Sequence, residues 1–151
     1  SHLRVFLFQR IETAPFARSF MIMFIDINHM KRINDRYGHL FGDRAICIVA
    51  DAIKQCLGDD DGIGIRYGGD EFLIVAANAT EEYAEKFKHD METYIDKENK
   101  LGVNPFKFSI SVGYVLTDPT SDKDVSNYVE EADVMMYEIK NEHHRTHPEE
   151  D

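Results

Sequence analysis

Residues 20–27 read FMIMFIDI, six apolar side chains without a break, then Asp26, then Ile27. A strand exposed on one side alternates apolar with polar residues, whereas a short unbroken run is covered on both sides. The spacing therefore predicts a central strand that ends on a carboxylate. The run is far shorter than the roughly 20 residues that cross a bilayer, so it is not a membrane span. Behind it, Asn28 to Gly42 is polar, with a helical turn expected around Met30 to Asp35 before Gly38.

Further along, Ala45, Val49, Ala52, Ile53 and Cys56 recur at three and four spacing and predict an amphipathic helix that stops at Gly58. Ile63 to Tyr67 and Phe72 to Ala76 are two β-prone runs joined by Gly68, Gly69, Asp70 and Glu71. That pattern predicts a hairpin, with the glycines at positive φ in its turn. Thr80 reads as the N-cap of a helix whose buried stripe is Ala84, Phe87, Met91, Tyr94 and Ile95, ending near Lys100 to Gly102. Phe106, Phe108, Ile110, Val112, Tyr114 and Leu116 alternate with polar residues and glycine, predicting a strand. A last helix carries Val125, Val129, Ala132, Met136 and Ile139, capped by Ser121 or Asp122, and the tail from Glu142 is expected to fray.

From Phe20 onward the order is strand, helix, strand, strand, helix, strand, then an extra helix. This is the split βαβ pattern of an α+β ferredoxin-like fold, a βαββαβ antiparallel core. A helix over Leu3 to Glu12 is expected before it. The division read from the sequence is 1–19 as an N-terminal helix and truncated start, 20–141 as the folded domain, and 142–151 as a disordered acidic tail. Ser1 and His2 read as a cloning remnant, and the abrupt start suggests a domain cut from a longer protein.

Acidic residues number 28 against 17 basic, a net charge of −11. That balance argues against a broad basic face for nucleic acid. The stretch from Asp118 to Asp151 holds eleven acidic and three basic residues and supplies −8, so the first 117 residues carry only −3. Cys47 and Cys56 lie nine apart in one predicted helix, cannot bridge there, and read as buried free thiols of a reduced compartment. No secretory signal is visible at the N-terminus, and a cytoplasmic domain without membrane contact is expected.

In the predicted topology the first and third strands are central, which brings Asp26 to one sheet edge with Asp70 and Glu71. Converging carboxylates on rigid supports are what hard divalent cations need, with open positions left for phosphate oxygens. Taken singly, each acid would more often decorate a strand end or a turn.

Residues 66–72, RYGGDEF, resemble the signature of the GGDEF domain family, the diguanylate cyclases. Ile25 to Asp43, IDINHMKRINDRYGHLFGD, is similar to the family's DxDxFKxxNDxxGHxxGD segment. Phe108 to Tyr114, FSISVGY, resembles its last strand, and Ala132 to Lys140, ADVMMYEIK, its ADxxxYxxK helix. The four signatures span about Phe20 to Lys140.

The resemblance implies a palm-type nucleotide cyclase fold and the condensation of two GTP into cyclic di-GMP with release of two pyrophosphates. It implies an antiparallel homodimer in which each subunit holds one GTP, fused to a sensory or regulatory domain. By the same resemblance, Asp26, the carbonyl of Ile27, Asp70 and Glu71 would bind Mg2+ or Mn2+. Asp70, preferred over Glu71, or a water on the cation would take the 3'-hydroxyl proton, and Lys140 would contact phosphate. Asn34 and Asp43 match the guanine readers; structural alternatives are a helix C-cap for Asn34 and an N-cap for Asp43. His29, Met30 and Lys31 would offer backbone N–H groups and a positive charge to the β and γ phosphates, with Gly68 and Gly69 letting the strand turn beneath them.

The chain departs from the family pattern in several places. The usual opening DxLTGLxNR segment is missing but for its tail. The second acidic position of DxD is Asn28. The Arg-x-x-Asp product site is replaced by Asp59 and Gly62, within the acidic run Asp59 to Asp61, so product feedback is not expected there. His144 and Arg145 stand where a basic residue often follows Lys140. His143, His144 and His147 read as a disordered tail rather than a metal site. The rival to a cyclase is a silent member of the family that binds GTP and acts as a regulatory or dimerisation module.

Overall fold

The computed structural model describes residues 19–148. The helix expected over Leu3 to Glu12 lies outside them, as do the last three residues of the tail. Four strands, β1 (Phe20–Ile27), β2 (Gly62–Arg66), β3 (Glu71–Ala77) and β4 (Ile110–Leu116), form one antiparallel sheet in the order β2-β3-β1-β4. Among the described residues four helices complete it: α1 (Met30–Tyr37), α2 (His39–Leu57), α3 (Glu81–Leu101) and α4 (Val125–Thr146). This is the α+β arrangement expected, with β1 and β3 central.

The pleat of β1 explains its unbroken apolar run, because successive side chains point to opposite faces. Met21, Met23, Ile25 and Ile27 join a core built with Ala45, Val49 and Ile53 of α2 and Phe87, Met91 and Ile95 of α3. Phe20, Ile22 and Phe24 join a second core with Leu73, Val75 and the Tyr128, Val129, Ala132 and Met136 stripe of α4. Asp26 has the same parity as Phe24, so its carboxylate emerges on the α4 face. The sheet therefore aims this acid at the helix that carries Lys140.

Two glycines set the helix packing. A Cβ on Gly113 of β4 would lie 2.3 Å from the backbone nitrogen of Met136 and 2.7 Å from its Cα, so α4 rests directly on the strand there. A Cβ on Gly42 of α2 would lie 1.9 Å from Asn34 Oδ1, so α1 and α2 meet at that point.

Several local expectations are corrected. Helix α2 begins at His39, so Asp43 lies within its second turn and is no N-cap, and Asn34 lies inside α1, which ends at Gly38. The N-cap of α4 is Asp124 rather than Ser121 or Asp122, and its carboxylate accepts from the Ser126 hydroxyl at 3.0 Å. Phe106 and Phe108 are buried but precede β4, because the Asn99 side chain bonds both the N–H and the carbonyl of Phe108 in place of a neighbouring strand. Cys47 is exposed on the solvent side of α2, and only Cys56 is half-buried. The tail does not fray from Glu142: α4 runs on to Thr146, and the rings of His143 and His144 pack on His29. Thr80 caps α3 as expected, its hydroxyl accepting from Tyr83 N at 3.1 Å. No helix among the described residues is long and apolar enough to cross a membrane.

Candidate active site

Asp26, near the end of β1, sits directly opposite Glu71, the first residue of β3. The turn that delivers Asp70 and Glu71 is held by its backbone. Tyr67 N and Gly68 N donate to the Glu71 carbonyl at 2.8 and 3.1 Å, and Ile27 N donates to the Asp70 carbonyl at 3.1 Å. The Arg66 guanidinium then donates to the carbonyls of Gly68 and Gly69, the shortest contact being 2.6 Å. Neither glycine has a positive φ, contrary to expectation. What glycine provides at 69 is space: a Cβ there would meet nothing within 4 Å, leaving the backbone open to a ligand.

Lys140 closes the constellation from α4. Its Nζ lies 2.9 Å from Asp26 Oδ2 and 3.9 Å from Asp70 Oδ2. Asp133, two helical turns earlier on the same face of α4, meets the Glu71 carboxylate. Burial and then its acidic neighbours, Asp133 before Asp26 and Asp70, push Glu71 up to about 7. Burial raises Asp26 to about 6, with the Lys140 bond pulling the other way and Asp70 adding to the rise. Asp26 Oδ1 and Glu71 Oε1 are buried without a hydrogen-bond partner.

Crowded carboxylates with unpartnered buried oxygens are a donor set short of positive charge, which a small divalent cation would supply. Among the described residues no three His, Cys, Asp or Glu side chains enclose a metal ion by themselves. Mg2+ rarely asks for that; it characteristically takes one or two carboxylates and fills its remaining positions with water and substrate phosphate. The residues present fit such an ion.

This crowding has a cost in the metal-free protein. The raised pKa of Glu71 means the folded state binds its proton more tightly than the unfolded chain. Stability from this group is complete below about pH 4.5 and is lost as pH rises through about 7. Glu71→Gln is thus expected to stabilise the metal-free protein by about 1–3 kcal/mol at pH 8 and by far less at pH 4. Thermal unfolding in a chelator at the two pH values checks this.

Beside the carboxylates, a cavity of about 720 Å3 is lined by His29, Met30, Lys31, Arg32, Asp35, Arg36, Asp70, Lys140 and His144. The first turn of α1 opens into it. His29 adopts the left-handed conformation at φ 56°, turning the chain sharply from β1 into α1, and no side chain caps that helix or places an acid in its first turn. Uncapped N–H groups at the positive end of a helix suit phosphate oxygens. Lys31 reaches Asp35 at 2.7 Å on the rim. Asn34 and Asp43 do not line this cavity; they lie where Gly42 joins α1 to α2, and the buried Asn34 Oδ1 there has no hydrogen-bond partner. Asn28 turns away from the carboxylates and bonds to serines of the β4 segment.

Arg32, Asp35, Arg36 and Asp133 are site residues that the motif and periodicity readings do not mark. The seven-residue spacing of Asp133 and Lys140, two turns of one helix face, was the available signal for the last.

Fold and site together define an α+β palm-like domain whose sheet end is built around acids. The chain belongs to the GGDEF family: the family model described as "Diguanylate cyclase, GGDEF domain" matches residues 1–146. It is 32% identical to the diguanylate cyclase VdcA of Vibrio cholerae over 80% of the chain and 36% of that protein. It is 34% identical to the cyclic di-GMP phosphodiesterase PdeR of Escherichia coli over 79% of the chain and 18% of that protein. The chain thus spans well under half the length of these relatives. The GGDEF domain of DgcB from Caulobacter crescentus, solved with c-di-GMP, superposes with a TM-score of 0.80 at 20% identity, covering 93% of this chain and 84% of that one. The active GGEEF domain of a diguanylate cyclase from Vibrio cholerae gives 0.69 at 25% identity, covering 83% and 78%.

Proposed function

We propose that this domain is the catalytic unit of a diguanylate cyclase. Two GTP molecules condense to cyclic di-GMP: each 3'-hydroxyl oxygen bonds to the α-phosphorus of the other nucleotide as the bond to pyrophosphate breaks, so two protons and two pyrophosphates leave. The observation that carries the reading is the meeting of Asp26, Asp70, Glu71 and Lys140 at one sheet end beside an uncapped helix N-terminus.

Asp26 and Glu71, with the Ile27 carbonyl and Asp70, would hold Mg2+ or Mn2+. Such an ion supplies charge neutralisation at the triphosphate and activation of the hydroxyl. Asp70, which lines the cavity as Glu71 does not, takes the 3'-hydroxyl proton. Lys140 offers its ammonium to phosphate oxygens, and the N–H groups of the first turn of α1 bind the β and γ phosphates. Asn34 and Asp43 read the guanine edge, a carboxylate accepting from N1–H and the 2-amino group while the amide pairs with O6 or N7. Because one domain holds one nucleotide, ring closure needs a second copy facing it antiparallel.

The relative named as a phosphodiesterase supports a second reading, a silent domain that binds GTP and regulates a neighbour. Asp70→Ala separates the two: it abolishes product if the domain is a cyclase and changes nothing in product if it is silent.

Product feedback through the turn after α2 is not expected. Asp59, Asp60 and Asp61 present carboxylates where an anionic dinucleotide would dock, and Asp60 already accepts from the Tyr83 hydroxyl at 3.0 Å. Calorimetric titration with cyclic di-GMP should give no submillimolar binding that is lost in Asp60→Ala/Asp61→Ala.

A further inference from the structure

At the position where the family carries its second acid, Asn28 is almost wholly buried, 2% exposed, and serves a polar chain rather than the carboxylate site. The Ser111 hydroxyl donates to Asn28 Oδ1 at 2.6 Å, and Asn28 Nδ2 donates to Ser109 Oγ at 2.9 Å. These lengths match an O–H···O and an N–H···O bond respectively, with the amide oxygen toward Ser111 and its nitrogen toward Ser109. Asn28 N also donates to the Ser109 carbonyl at 2.9 Å, pinning the two segments together. Ser109 Oγ, which accepts from Asn28, also lies 3.4 Å from His143 Nε2. A Ser109 hydroxyl that donates there pairs with an acceptor at Nε2 and a His143 proton on Nδ1, whereas one that accepts a second bond pairs with Nε2–H. The His143 ring lies 5.3 Å from that of His29, and His144 stacks on His29 at 4.0 Å. His29 is the left-handed residue that turns β1 into the phosphate-facing helix.

We propose that Asn28 and His143 are a matched pair of positioning residues, linked by a one-way hydrogen-bond chain from Ser111 to Asn28 to Ser109 to His143 that seats the end of α4 against His29 and so fixes the mouth of the phosphate cavity. An amide at residue 28 supplies the one acceptor and one donor that this direction of the chain uses. A carboxylate would accept from both serines, turn the Ser109 hydroxyl around and leave Ser109 accepting, so that His143 would have to donate from Nε2. Asn28 is then the residue that suits a histidine on α4, not a lost ligand.

The kinetic part of the test rests on the proposed cyclase activity, while the tautomer part stands without it. Nitrogen-15 NMR of the histidine-labelled chain should show His143 in the Nδ1–H form, shifting to the Nε2–H form in Asn28→Asp and to a mixture in Ser109→Ala, which adds no charge and serves if Asn28→Asp does not fold. Asn28→Asp should raise the KM for GTP about tenfold with kcat changed less, the size of coupling seen between residues in one hydrogen-bond network. In a His143→Gln background, whose amide can donate or accept, the same change should raise KM by no more than about twofold. An Nε2–H His143 in the parent chain, or equal KM effects in both backgrounds, overturns the proposal. A parent chain without GTP turnover would count against the cyclase reading, and the tautomer measurement would then decide this one.

Discussion

Asp70→Asn is expected to lower the rate of cyclic di-GMP formation by about a thousandfold while leaving the fold intact, the loss typical of removing a general base. The two halves of that expectation come from different atoms of one residue. The fold uses the Asp70 carbonyl, which accepts from Ile27 N at 3.1 Å, and the turn is further held by Arg66 through the glycine carbonyls. The proposed chemistry would use the carboxylate, which is a third exposed, lines the cavity and stands 3.9 Å from Lys140 Nζ. Asparagine keeps the first and removes the second. Thermal unfolding should therefore change little while product falls to the detection limit. A variant with parental turnover would mean that the proton leaves by another route.

Gly113→Ala is the substitution expected to damage the structure most. A methyl group at that position would overlap Met136 N and Cα, which are backbone atoms of a helix and cannot swing aside as a side chain can. Helix α4 would have to lift from β4, loosening Tyr128, Val129, Ala132 and Met136, of which Val129 and Met136 are worth about 1.5–3 kcal/mol each when fully buried. A loss of about 3 kcal/mol or more follows, or roughly 6–12 °C in Tm for a domain of this size. Lys140 lies one turn beyond Met136 and would retreat from Asp26 with the helix, so GTP affinity should fall as well. Comparing Gly113→Ala with Val112→Ala separates this from ordinary core loss: the second variant should cost stability without the drop in affinity.

Much of this architecture can be read from FMIMFIDI alone. An unbroken apolar run with an acid near its end states that the strand is central and that the acid emerges at a sheet end. The parity of Asp26 with Phe24 even selects the face on which Lys140 must lie. The glycine-rich turn likewise announces a hairpin, and topology then brings its acids to Asp26.

Other features depend on partners that periodicity does not register. The last turn of α4 has no apolar stripe, and its order comes from His143 and His144 packing on His29, more than a hundred residues away in sequence. The late start of β4 is due to one side chain, Asn99, satisfying the backbone of Phe108. The left-handed backbone falls on His29 rather than on Gly68 or Gly69, because the tight bend is at the end of β1 and the hairpin is held by Arg66 instead. The partners of Asn28, Ser109 and Ser111, lie some eighty residues away in sequence, so its polar chain leaves no local mark. Asp133 carries no such mark, because a single acid on an exposed helix face is ordinarily just solvated.

The central claim is that this sheet end condenses GTP, and stoichiometry tests it most directly. The chain, at concentrations where it self-associates, is incubated with GTP and Mg2+ or Mn2+, and nucleotide and pyrophosphate are separated by chromatography and counted. The account predicts one cyclic di-GMP and two pyrophosphates for every two GTP consumed, formed about a thousandfold more slowly by Asp70→Asn. Bound GTP that stays intact in the self-associated protein, or product formed by Asp70→Asn at the parental rate, would contradict it.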